Sequence, residues 1–62
     1  MKVYELLDTI PSHYQARILK FSNNKFLTAG RIFELERAKI YLDSEVKEIN
    51  IYDNKLIIKI ER

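Results

Sequence analysis

Between positions 45 and 61 the chain alternates apolar, mostly β-branched residues with polar ones. Val46, Ile49, Ile51, Leu56, Ile57, Ile58 and Ile60 stand on either side of Asp53 and Asn54. β-Branched side chains favour extended backbone. Asp and Asn accept the left-handed conformation that a two-residue type I′ turn demands. The pattern therefore predicts a hairpin that turns at Asp53 and Asn54. Ile51 then faces Leu56, Ile49 faces Ile58 and Lys47 faces Ile60. On the other face Tyr52 meets Lys55, Asn50 meets Ile57 and Glu48 meets Lys59. A turn one residue later would set Glu48 against Glu61. Opposite charges across a ladder help and like charges hurt, by about 0.2–1 kcal/mol a pair, which selects the first register.

This register assigns Ile49, Ile51, Leu56, Ile58 and Ile60 to the core. The second face carries Val46, Tyr52 and Ile57. These are either singly exposed apolar residues, which are normal on a surface, or a contact face for another subunit or partner.

Earlier in the chain, Val3, Leu6, Leu7 and Ile10 recur at helical spacing and predict a helix over 1–10 that packs its stripe on the sheet. Pro11 stops it. Positions 14–29 predict a first hairpin that turns at Asn23 and Asn24. Phe21 then faces Phe26, as a core pair, and Leu19 faces Thr28. Gly30, the one glycine, is expected at the end of the second strand with a positive φ. Positions 31–42 fit a helical face through Ile32, Leu35 and Leu42 or, through Phe33 and Leu35, a strand. The good helix formers Glu34, Glu36 and Arg37 favour a short helix over 32–39. The expected fold is α+β: helix, hairpin, short helix, hairpin, with the four strands in an antiparallel sheet.

Composition narrows the possibilities. Sixty-two residues make one small domain, and such a chain buries only about 60% of its unfolded surface. It has no cysteine, and its apolar content is 47%. Stability must come from the core or from oligomerisation, not from disulfides or a thiolate metal site. No apolar run is long enough to span a membrane. The N-terminus does not read as a signal peptide. A net charge of +2, with acidic and basic residues interleaved, does not by itself imply nucleic acid.

Candidate chemistry is sparse. His13 follows Pro11 and Ser12, and an adjacent serine does not give the geometry of a nucleophile and base pair. Asp43, Glu45 and Glu48 read as a solvated charged edge beside Lys47 rather than as an acid–base pair. No catalytic residue, cofactor-binding residue or metal ligand is expected. Basic residues interleaved with aromatics on the first hairpin (Tyr14, Arg17, Lys20 and Lys25) offer a nucleic-acid platform by stacking and phosphate contact.

The opening MKVYELLDTIP, the central TAGRIFEL and the closing YLDSEVKEINIYDNKLIIKI together resemble small uncharacterised proteins encoded by phages and prophages of low-GC Gram-positive bacteria. The resemblance covers the whole chain at the level of pattern. It implies a non-enzymatic accessory protein that acts by binding in the cytoplasm of the host cell. The expected mode is protein–protein contact as a homodimer, through an apolar sheet face or an edge strand. Val46, Tyr52 and Ile57 are the expected contact residues, with Tyr52 as anchor. Nucleic-acid binding through the first hairpin is the alternative.

Overall fold

A computed structural model of the chain describes residues 1–61. The elements run α1 (Val3–Leu7), β1 (Gln15–Lys20), β2 (Phe26–Arg31), α2 (Ile32–Ala38), β3 (Glu45–Tyr52) and β4 (Lys55–Glu61). The class and the order of elements are those the sequence predicts. The sheet is not. Its strand order is β2-β1-β4-β3, and β1 pairs with β4 in parallel, Ala16 beside Leu56 and Ile18 beside Ile58. The two hairpins are antiparallel within themselves, so the sheet is mixed. The cause lies between the hairpins. α2 and the loop after it carry the chain back to the end of the sheet where β2 begins. β3 then runs in the direction of β2, and β4 in that of β1.

Both helices cover one face of the sheet. Val3, Leu6 and Leu7 of α1 and Ile32 and Leu35 of α2 are buried against Ala16, Ile18, Leu56, Ile58 and Ile60. The central strands thus supply the sheet side of the core, as their apolar content requires. α1 is shorter than the stripe suggests. Met1 and Lys2 stay extended, because Lys2 bridges Glu45. After Leu7 the bonds tighten: Thr9 and Ile10 donate their N–H to the carbonyls three residues back, and the Thr9 hydroxyl also bonds Leu6 O at 2.7 Å. Ile10 still packs on the core.

The two helices begin with the same device. The Glu5 carboxylate accepts the Lys2 N–H at 2.8 Å, and the Glu34 carboxylate accepts the Arg31 N–H at 2.7 Å. Each glutamate stands three residues inside its helix and satisfies an N–H that the helix itself leaves unpaired. Gly30 belongs to this arrangement. It sits within β2 opposite Ala16, with no positive φ. A Cβ there would lie 3.2 Å from Glu34 Oε1, so glycine makes room for the capping carboxylate rather than for a turn.

The C-terminal hairpin follows the expected register from Tyr52 and Lys55 to Glu48 and Lys59. Asp53 and Asn54 have φ of 53° and 61°, as a type I′ turn requires. The register then shifts: Val46, not Lys47, pairs with Ile60. A bulge at Lys47 spares the core a cation opposite buried Ile60 and turns Val46 inward instead. The first hairpin departs further. Phe21 leaves the β1–β2 ladder because its N–H donates to Ile60 O at 2.8 Å, extending the parallel pairing with β4. The turn opens into a loop over 21–25 with Asn24 left-handed. Leu19 now pairs with Phe26 and Ile18 with Thr28.

Candidate functional site

With both helices on one side, the opposite face of the sheet has no covering element among the described residues. The ladder pairings fix its contents. Arg17, Ala29, Ile57 and Asn50 lie in one row across the four strands, and Leu19, Phe26, Lys59 and Glu48 in the next. Tyr52 and Lys55 pair one step nearer the turn. Leu19 and Ile57 are half-buried between their neighbours, whereas Phe26 and Tyr52 are 54% and 76% exposed. Apolar and aromatic groups therefore stand among cations on this face.

The electrostatics are uneven. Lys59 Nζ lies 3.3 Å from Glu48 Oε2, and the Asn50 amide donates to the same oxygen. The Asn50 hydrogen bond first, and the bond and charge of Lys59 after it, hold the Glu48 carboxyl below its usual value. Arg17 and Lys55 form no ion pair among the described residues. Together with Tyr52, Asp53 and Ile57 they line a shallow depression at the turn end of the face. The depression joins a phenol, an isoleucine, one carboxylate and two cations, and this net positive charge beside apolar surface suits an apolar segment bearing an anion.

The expected contact residues are split by the bulge. Tyr52 and Ile57 share the open face, but Val46 lies on the helix side, half-buried and packed on the core. Leu19 and Phe26 stand together on the open face; Phe26 was expected in the core opposite Phe21 and is exposed instead. Their signal was that both faces of the first hairpin carry apolar residues, but the pattern could not say which face the helices cover. The nucleic-acid candidates also separate. Arg17 is on the open face. Lys20 pairs with Ile60 on the helix side. Tyr14 precedes β1 with its ring edge-on to His13, 6.4 Å between centroids. Lys25 is in the hairpin loop.

A second surface is the outer edge of β3. Ile49 and Ile51 lie on the helix side, as expected, yet they are 42% and 71% exposed because neither helix reaches that far. They are surface, not core. At the start of the same strand Glu45 lies 3.3 Å from the Met1 amino group, and the hydrogen bond from that group, then its charge, lowers the Glu45 carboxyl from its usual value. Asp43 precedes it in the loop, and among the described residues no three metal-ligating side chains converge. Among the described residues no helix is long and apolar enough to cross a membrane. Comparison of the chain with protein-family models, with curated proteins and with solved structures finds no match.

Proposed function

We propose that this chain is a non-enzymatic binding protein that acts by protein–protein contact, as a homodimer that presents its open sheet face to a partner. The observation that carries this reading is the segregation of both helices to one face. It leaves Leu19, Phe26, Ile57 and Tyr52 on the other, beside Arg17 and Lys55, which form no ion pair among the described residues. Exposed aromatics flanked by arginine are the composition of interface anchors. The resemblance to phage and prophage proteins supports a role as an accessory factor in a bacterial host cytoplasm, and it sets the choice of bait and lysate.

The test is affinity capture from a low-GC Gram-positive lysate with nuclease present, using the wild-type chain, Ile57→Lys and Arg17→Glu. A stoichiometric protein held by wild type and lost from both variants, with circular dichroism unchanged, is the expected result. Equal capture by all three overturns the open face as the contact. A second reading rests on the same two cations beside Tyr52: single-stranded nucleic acid stacked on the aromatic, with phosphates on Arg17 and Lys55. It requires capture that vanishes with nuclease and a retention that falls steeply with salt.

A further inference from the structure

β3 is an edge strand whose outer side is partly occupied. At its start Lys2 bridges Glu45, and the Val46 N–H donates to Met1 O at 2.8 Å. The bulge at Lys47 follows, and the turn at Asp53 closes the other end. Between them, residues 48–52 form a regular stretch with no neighbour on the outer side among the described residues. Tyr52 and Lys55 flank a two-residue turn and so exchange both hydrogen bonds. Alternation along the ladder then directs the backbone groups of Asn50 and Glu48 to β4, and those of Ile49 and Ile51 outward. An uncovered edge with outward N–H and C=O groups is a template for another strand.

We propose that this edge pairs antiparallel with the same edge of a second copy of the chain, about a two-fold axis at Asn50, making one eight-stranded sheet. The inference specifies the homodimer of the proposed function and rests on that part of it. The open-face contact with another protein is tested at Ile57 and Arg17, which the edge pairing does not use; Tyr52 belongs to both surfaces.

A two-fold axis normal to the sheet sets one residue opposite its own copy, and the registers can be compared. With the axis at Asn50, Ile49 stands opposite Ile51 of the second copy, twice over. Glu48 stands opposite the phenol of Tyr52, and Lys47 comes level with Asp53, a cation beside an anion. With the axis at Glu48, like charges oppose. With the axis at Ile49, Lys47 opposes Ile51, and the turn of the second copy reaches the level of Glu45, where Lys2 already pairs. With the axis at Ile51, Ile49 opposes Asp53. Only the Asn50 register matches apolar with apolar and charge with opposite charge, and Asn50 is also the midpoint of the free length. The four isoleucines gather on the helix side, where each chain alone leaves them in water. The axis keeps the two open faces on the same side of the joined sheet.

The full chain, at about 10 μM to 1 mM to cover the weak association expected of a single strand pair, is tested by sedimentation and by disulfide trapping. The chain has no cysteine, so Glu48→Cys, Ile49→Cys, Asn50→Cys, Ile51→Cys and Tyr52→Cys each report one contact. Residues opposed at a two-fold axis have Cα atoms about 4.5 Å apart in a non-hydrogen-bonded pair, within disulfide reach. The expected result is a mass rising from 7.4 kDa to twice that, with Asn50→Cys trapped at least about 10-fold faster than the other four. Circular dichroism should match wild type in each variant. Self-association with fastest trapping elsewhere, or with none trapped, overturns the edge pairing and leaves the homodimer standing. A monomer across the whole range overturns both, and leaves the open-face contact to its own test.

Discussion

Two isoleucines on the same side of the C-terminal hairpin should differ several-fold in what they contribute. Ile58 is fully buried, in the row of Ile18 and Ile49. Ile51, two residues up the neighbouring strand, is 71% exposed. Replacing either by alanine removes three carbons, each worth about 0.8 kcal/mol when buried. At Ile58 the whole of this, about 2.4 kcal/mol, is lost, and the cavity under the helices adds to it. A total of about 3–4 kcal/mol follows. At Ile51 less than a third of the transfer applies, about 0.7 kcal/mol. A domain of this size holds only about 3–9 kcal/mol in all. Ile58→Ala should therefore lose at least about a third of the total stability, while Ile51→Ala should unfold close to wild type. Urea titration by far-ultraviolet circular dichroism at low micromolar chain gives both values, with equal m-values as the two-state check. If Ile51→Ala costs as much as Ile58→Ala there, the helices cover more of the sheet than described, and the exposure argument for the β3 edge fails with it.

Three further perturbations have defined signs. Asn54→Gly should raise stability by about 0.5 kcal/mol, since the second turn position has φ of 61° and glycine takes it without a Cβ; a lower urea midpoint would contradict the type I′ assignment. Lys39→Gly should add about 1 kcal/mol by relieving a left-handed residue, φ 57°, at the end of α2, read as a higher thermal midpoint with unchanged helix signal. Glu48 titrates lower folded than unfolded, so its stabilisation is present above the usual value of 4.5 and is lost as pH falls through the depressed folded value. Wild type should therefore lose more stability than Glu48→Gln on acidification from pH 6, and parallel pH curves would show that the Asn50 and Lys59 contacts contribute nothing in solution.

Local signals were legible where local physics decides the outcome. Asp53 and Asn54 set both the turn and the register as far as Glu48 and Lys59, because turn chemistry and charge pairing agree there. Tyr52 and Ile57 were correctly placed on one face for the same reason. Val46 was not, because the bulge that turns it inward answers to Ile60 on the next strand and to Met1 at the far end of the chain. Phe21 was misplaced because its N–H is held by Ile60, again a partner remote in sequence. The parallel pairing of β1 and β4 left no local mark either, since an apolar strand reads alike whichever way its neighbour runs. Leu19 and Phe26 could be assigned to the open face only once the helices were known to share the other one.

The centre of this sheet joins positions 16 and 56, which lie 40 residues apart in sequence. Each hairpin closes over a short loop, but neither buries its inner strand until the other arrives. Closing so long a loop is slow compared with forming a turn. The folding barrier should thus lie at the docking of the two hairpins, and neither half should persist alone. So small a chain is built as two incomplete pieces that become stable together, and during synthesis the first must wait for nearly the last residue of the second.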